Sequence, residues 1–519
     1  MASPPPSKPR HDDTSSPPPL PSIHLLGRQR PALLANAVTE ATFVATIVLS
    51  MMMSEFFISG FNIILPPVAQ ALHISQGSQT WPAGVTNLTT AALLQPCARL
   101  CDMFGARVVF FAGHAWLLAW SVGTGFAHNQ NVLIVGRAMQ GIGAAAFLPA
   151  GLALLSKTYR PGPRKNVVFA IYGAFACIGF YFGILIGAVA AELANWRWYF
   201  WIGAMLEALI ALAGLFSIPK DLADRDADAN MDWWGLCTIV PGLVLVVFAF
   251  TDGRHAPRGW NTPYIYVTLV VGFLLLAAAV YVEGWVAKQP LVPPALFKPR
   301  YMVRLVCALF CSYGVFGLFL FYASFYIENI MQKGPLLTAA WFTPFAIGGI
   351  FLALSGGLVM HIISNRILML ISCLGFLATS LLFALMPNPN SSSHSSSYFY
   401  WAFILPAMLG GTIGVDITFN VTNVYITTAM PRRLQAAASG LINSLIYLGI
   451  AFWLGIAEMA ISITGMKRDL SMLQEYRIGF WTGVGLAAVA LVLVSSIKMG
   501  NAKAALTADE KAQLEAESS

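Results

Sequence analysis

Five ionisable side chains stand out inside long apolar runs as candidates: Glu55, Arg137, Glu207, Asp416 and Glu458. A charged group at the centre of a bilayer costs about 2.5–3.5 kcal/mol on insertion scales, so each needs a reason to be there. Asp416 has the clearest one. In MLGGTIGVDITFNVTNVYI it is followed by Asn420 and Asn423 at i+4 and i+7, on the same helical face. Such a polar stripe lines a cavity rather than lipid, and a carboxyl on it suits the binding and release of a proton. The competing reading is a buried acid that only hydrogen-bonds neighbouring helices. Glu55, in SMMMSEFFISGFN, has Asn62 two turns along the same face and is the second candidate for proton or substrate binding. Arg137 needs an acid or carbonyl partner, and Glu55 is a candidate for that role. Glu207 and Glu458 match no pattern and are weaker candidates, and His114 reads as a satisfied packing residue.

Other chemistries find little support. The sequence has no HExxH, no paired CxxC, no phosphate-binding glycine loop and no clustered histidines, so no metal, cofactor or enzymatic activity is expected. A membrane sensor would usually add a sizeable soluble domain, and only two short tails are on offer. The seven cysteines read as small apolar packing residues, including the i,i+4 pairs Cys97/Cys101 and Cys307/Cys311.

The elements that must hold these residues are membrane helices. The chain has 519 residues, of which 57% are hydrophobic and 10% charged, whereas soluble chains carry about 25% charged residues. Apolar runs long enough to cross a bilayer are predicted at 42–67, 81–98, 107–127, 132–156, 167–191, 198–218, 235–251, 263–284, 303–327, 337–359, 366–386, 399–426, 434–463 and 479–497. The expected class is an all-α polytopic membrane protein with about 14 transmembrane helices. Residues 1–41 are Pro- and Ser-rich and predict a disordered cytosolic tail, and 499–519 a second cytosolic tail. Most of the 30 Lys and Arg fall in the tails and in the loops on the same side as the tails, so that side is expected to be cytosolic. The net charge of +7 therefore reports topology and not nucleic-acid binding. The sequon at Asn390 falls on an expected outer loop, a candidate for N-glycosylation, whereas the sequons at Asn87 and Asn420 fall within predicted helices.

Two loops repeat a pattern. ARLCDMFGAR places Ala98, Asp102, Gly105 and Arg107 after the second span, and GLVMHIISNR places Gly357, His361, Ser364 and Arg366 after the tenth. A shift of eight helices fits two six-helix halves separated by two inserted helices, one of the known transporter plans; chance similarity is the competing reading of so short a pattern. The domains expected are a bundle over 42–218, a linker with the inserted helices over 219–300, and a second bundle over 301–498.

These segments resemble the major facilitator superfamily. ARLCDMFGAR is similar to the family's loop motif between helices two and three, keeping Asp102, Gly105 and Arg107 but not its first Gly or two of its Arg positions. RAMQGIGAAAFLPAG resembles the fourth-helix motif through Arg137, Gln140, Gly141 and Gly143. NWRWYFWIGA, MDWWG, TYRPGPRKN and GVDITFN resemble the fungal fourteen-helix drug:proton antiporter branch, with its aminotriazole-resistance, boron-export and low-affinity ammonium relatives. FNIILP keeps Asn62 and Pro66, with Phe57 where many members carry Asp. In IGFYFGILIGAVAAEL, Gly179, Gly183 and Gly187 recur every four residues, as in small-residue helix seams. That run stands where antiporters carry G-P-x-x-G-G; Ile184 replaces the Pro and Ala188 the last Gly.

The resemblance implies two six-helix bundles plus two inserted helices. It also implies a coupling role for Arg137 and conformational control by the Asp102–Gly105–Arg107 loop. The function it implies is proton-coupled efflux of a small toxic compound, drug or secondary metabolite by alternating access. Import of a small solute such as ammonium is the alternative. The expected partners are a small-molecule substrate, protons and the lipid bilayer, with no nucleic acid; the chain is expected to act as a monomer. The plasma membrane is the expected location, with the vacuolar membrane as alternative.

Overall fold

The computed structural model describes residues 29–160, 163–220, 225–226, 228–389, 394–430, 432–465 and 470–497. The Asn390 sequon and most of both tails lie outside the described residues. Fourteen long α-helices carry the fold: α1 (Ala37–Ala71), α2 (Thr80–Phe104), α3 (Ala106–Gly125), α4 (Gln130–Thr158), α5 (Pro163–Leu193), α6 (Arg197–Ser217), α7 (Trp233–Asp252), α8 (Pro263–Tyr281), α9 (Met302–Phe325), α10 (Pro335–Ile362), α11 (Asn365–Leu385), α12 (Leu405–Ala429), α13 (Arg432–Gly465) and α14 (Met472–Ser495). Helices are what such apolar runs must form, because a bilayer offers the backbone no hydrogen-bond partner.

Thirteen described helices are long and apolar enough to cross a membrane on their own. α2 is not among them, because Thr86, Asn87, Thr89, Thr90 and Gln95 dilute its hydropathy; those hydroxyls bond into α4 instead. Caps fix several starts: Asn36 accepts from Thr39 N–H, Asn129 from Val132 N–H, Asp232 from Gly235 N–H, and Ser471 with Gln474 forms a capping box. Between α2 and α3 the chain turns on Gly105, whose φ of +92° is strained for any residue with a Cβ.

Helix packing repeats after eight helices. In the first half α1 packs on α5 and α6, α4 on α2 and α3, and α3 on α6. In the second half α9 packs on α13 and α14, α12 on α10 and α11, and α11 on α14, each pair the counterpart of one in the first half. The halves meet along two seams, α2 against α13 and α5 against α10, which the same shift exchanges. The inserted α7 and α8 pair with each other, and α7 also lies against α2 and α13, covering one seam.

The predicted glycine stripe builds the α1–α5 contact. A Cβ on Gly179 would fall 2.4 Å from the Met52 carbonyl oxygen, one on Gly183 2.5 Å from that of Phe56, and one on Gly187 2.8 Å from that of Gly60. Residues 52, 56 and 60 carry the same four-residue spacing on α1, so the two backbones touch directly. Ser59 Oγ donates across this seam to the Phe180 carbonyl at 2.6 Å. The stripe thus gives close van der Waals contact where no side chain fits.

Candidate functional site

Glu55 and Asp416 sit halfway along α1 and α12, and each faces the opposite half of the molecule. Asp416 is buried, and Cys177 of α5 donates its thiol to Oδ1 at 3.4 Å. Thr412 Oγ1, one turn earlier, donates to the Phe345 carbonyl at 2.6 Å and stands 3.4 Å from Asp416 Oδ2. Gly349 of α10 completes the wall, since a Cβ there would lie 3.2 Å from Oδ2. Glu55 is touched by the hydroxyl of Tyr447 on α13, which also stands 3.4 Å from Ser54 Oγ. Tyr172 on α5 is an electrostatic neighbour of Glu55. Tyr313 on α9 is an electrostatic neighbour of both carboxyls, and its buried hydroxyl has no hydrogen-bond partner among the described residues.

The result is a polar island at the seam between the halves, made of two acids, three tyrosines and Cys177. Among the described residues no Lys, Arg or His comes within ion-pair distance of either acid. Exposure along the α12 stripe rises from Asp416 to Asn420 and Asn423, toward the end of the molecule that carries the Asp102 loop. Asn423 also bonds back to the Phe419 carbonyl and Asn62 to the Ile58 carbonyl, so both amides partly serve their own helices. At the opposite end the halves are tied: Glu192 of α5 accepts the Leu336 N–H of α10 at 2.8 Å.

Arg137 is fully buried in α4 and does not pair with Glu55. Its Nη1 donates to the Phe57 carbonyl at 2.8 Å and to Gln140 Oε1 at 3.2 Å, and its guanidinium lies 4.0 Å from the centre of the Phe61 ring. Carbonyls and a π face therefore replace the acid as its partners. They tie α4 to α1 beside the island. The expected Glu55 pairing fails because Glu55 turns to α13 instead.

The weaker candidates turn out to be paired. Glu207 of α6 holds His114 of α3, with Nδ1 and Oε2 2.5 Å apart and both side chains fully buried. Nε2 of the same ring meets Ser50 Oγ at 2.9 Å, and Ser50 spends its proton on the Thr46 carbonyl. With the Ser50 hydroxyl donating to Thr46, the ring nitrogen Nε2 is the donor of the Ser50 contact. Phe110 and Phe147 enclose the ring. Glu458 of α13 pairs with Arg254 from the α7–α8 loop at 3.2 Å.

The Asp102–Gly105–Arg107 loop stays within the first half and its linker. The Asp102 carbonyl accepts from Asp226 N–H, the Asp102 carboxylate faces Arg99 and Lys157, and Arg107 lies over the Phe111 ring. In the second loop Ser364 caps α11, and Arg366 donates to the Ser495 carbonyl. Four island residues escape sequence reading: Tyr172, Tyr313 and Tyr447 look like any apolar-run tyrosine, and Cys177 reads only as a packing residue. Their one signal is placement on the seam helices.

The comparisons with known proteins agree with this geometry. The Major Facilitator Superfamily profile matches residues 47–454. The chain is 29% identical over 475 residues to the efflux pump terJ of Aspergillus terreus, covering 90% of this chain and 88% of that one. It is 31% identical over 476 residues to the low affinity ammonium transporter of Saccharomyces cerevisiae, with 88% of each chain covered. It is 27% identical over 473 residues to the aminotriazole resistance protein of the same yeast, covering 90% and 85%. Among solved structures, the nucleoside transporter NupG shares the fold with a TM-score of 0.62 at 12% identity, covering 89% of this chain and all of that one. The two-half helix packing and the match across most of its membrane helices together place this chain in the Major Facilitator Superfamily, in the fungal branch that holds these efflux and resistance proteins.

Proposed function

We propose that this chain is a proton-coupled exporter of a small toxic compound or secondary metabolite, working by alternating access at the plasma membrane with both tails in the cytosol. The observation that carries the reading is the island: Asp416 and Glu55 belong to different halves, each touches the other half, and neither is neutralised by a cation among the described residues. A proton bound at Asp416 changes its hold on Cys177, and so changes the relative free energy of the two arrangements of the bundles. Asn420 and Asn423 offer amide contacts to a substrate on the Asp102-loop side of Asp416, Asn62 offers one on the opposite side of Glu55, and Arg137 holds α1 in place behind Glu55. Exposure along the α12 stripe rises toward the Asp102 loop, the cytosolic side in this topology, where an exporter loads. The Asp102–Gly105–Arg107 loop controls bundle movement at that side. The named efflux and resistance relatives support export.

Import of ammonium or a similar small solute is the second reading, favoured by the 31% identical ammonium transporter and by Ile184 in place of the antiporter Pro. The test is cellular accumulation of labelled methylammonium, boric acid and a panel of hydrophobic toxins, in cells lacking close relatives. Export predicts that the wild type lowers accumulation of at least one compound and that Asp416→Asn restores it. Raised accumulation establishes import instead. A wild type that changes none of them overturns the proposal for these solute classes.

A further inference from the structure

The loop between α7 and α8 inserts Arg254 into a pocket at the end of the molecule opposite the Asp102 loop. The pocket is walled by Tyr322 and Phe325 of α9, Glu458 of α13, Glu475 and Tyr476 of α14, and Gln79 from the first half. Arg254 Nη1 meets Glu458 Oε2 at 3.2 Å, and Nη2 meets Glu475 Oε1. The two carboxylates take separate nitrogens of one planar fork, the geometry that suits a guanidinium better than an ammonium. The rings of Tyr322 and Tyr476 lie 5.9 Å apart against this pocket. The Tyr322 hydroxyl is buried beside Glu458, yet has no hydrogen-bond partner in good geometry among the described residues. Two carboxylates and two tyrosine rings thus wall a pocket whose present cation comes from the protein itself.

The same loop reaches the first half as well. Trp81 Nε1 donates to Asp252 Oδ1 at 3.4 Å, and Tyr264 donates to Asp252 Oδ2 at 2.7 Å. Gly77 faces the His255 ring so closely that a Cβ would lie 2.5 Å from Nε2. The inserted hairpin thus spans both halves at this end, with Arg254 as its anchor in the second.

We propose that Glu458, Glu475, Tyr322 and Tyr476 form a binding site for a guanidinium-type organic cation, and that Arg254 occupies it as a tethered internal ligand. A free cation of this class enters the site only where Arg254 no longer fills it. The site is separate from the Asp416 island, and its binding test does not depend on transport.

The test uses the full-length protein in detergent, with methylguanidinium as the probe and thermal unfolding as the readout. Arg254→Ala should unfold at a lower temperature than wild type. Millimolar methylguanidinium should raise that temperature in a saturable way, while sodium chloride of equal ionic strength does not. The wild type, its site already filled, should not respond. Arg254→Ala combined with Glu458→Gln and Glu475→Gln should lose the response. If Arg254→Ala does not fold, Arg254→Gln empties the site while keeping the stem. Absence of a saturable rise in the emptied variant, or an equal rise in the triple variant, overturns the proposal.

Discussion

The four acids placed mid-helix in the bundles, Glu55, Glu207, Asp416 and Glu458, fall into two regions that differ in one respect. Glu207 and Glu458 lie against cationic or protonatable partners, His114 and Arg254, and their pairs close within one layer of packing. Asp416 and Glu55 lie at the seam between the halves, with only a thiol and hydroxyls around them. A paired acid is held in one state by its partner, and breaking the pair leaves an uncompensated group in the interior. An acid among neutral donors can exist charged or neutral with modest rearrangement. The difference separates acids that hold the bundles from acids able to report a proton to both halves, although all four look alike as isolated carboxyls in apolar runs.

The largest expected effect breaks the comparison on the paired side. Glu207→Leu leaves the His114 ring without its acceptor in a fully buried site and should cost about 3–5 kcal/mol, read as a large drop in unfolding temperature of the purified protein. Asp416→Asn, by contrast, should leave that temperature nearly unchanged while abolishing transport. Equal destabilisation by both would make Asp416 a packing residue and end the comparison.

A smaller effect sharpens the seam side. Tyr447→Phe removes the hydroxyl that reaches Glu55 from the other half. Loss of one hydrogen bond of about 1 kcal/mol should lower the transport rate about fivefold, with the unfolding temperature little moved. An unchanged rate would show that Glu55 does not act through this contact.

The smallest effect concerns pH at the hairpin loop. Burial, and then the neighbouring Arg254 charge, hold the His255 imidazole below its ordinary value of 6.5. The unfolded chain therefore binds this proton more tightly than the folded one, so the group costs nothing above that pH and destabilises as pH falls below it. His255→Gln should flatten the fall in unfolding temperature between neutral and mildly acidic pH. A slope identical to wild type would mean that other groups set it.

Much of the architecture was legible from sequence because it depends on one-dimensional rules. Span length follows from bilayer thickness, the repeat from a short loop pattern, and the α1–α5 seam from glycines every four residues, whose partners at 52, 56 and 60 follow the same spacing. The stripe of Asp416, Asn420 and Asn423 was likewise written in helical periodicity. Even α2, whose threonines and amides lower its hydropathy below that of the thirteen other spans, reads from the sequence as an apolar run over 81–98.

What the sequence by itself determined is therefore the helix inventory, the duplicated plan and the identity of the buried ionisable groups, since these depend on hydropathy and local spacing. Which group meets which was decided only by tertiary structure. Glu55 turns to Tyr447, 392 positions further along the chain, while Arg137 donates to the Phe57 and Pro82 carbonyls. His114 finds Glu207, and Arg254 crosses from the inserted hairpin to α13 and α14. A buried charge must be compensated by whatever polar group the packing brings within about 3 Å, and that distance is set by how helices rotate and cross, which no single helix encodes.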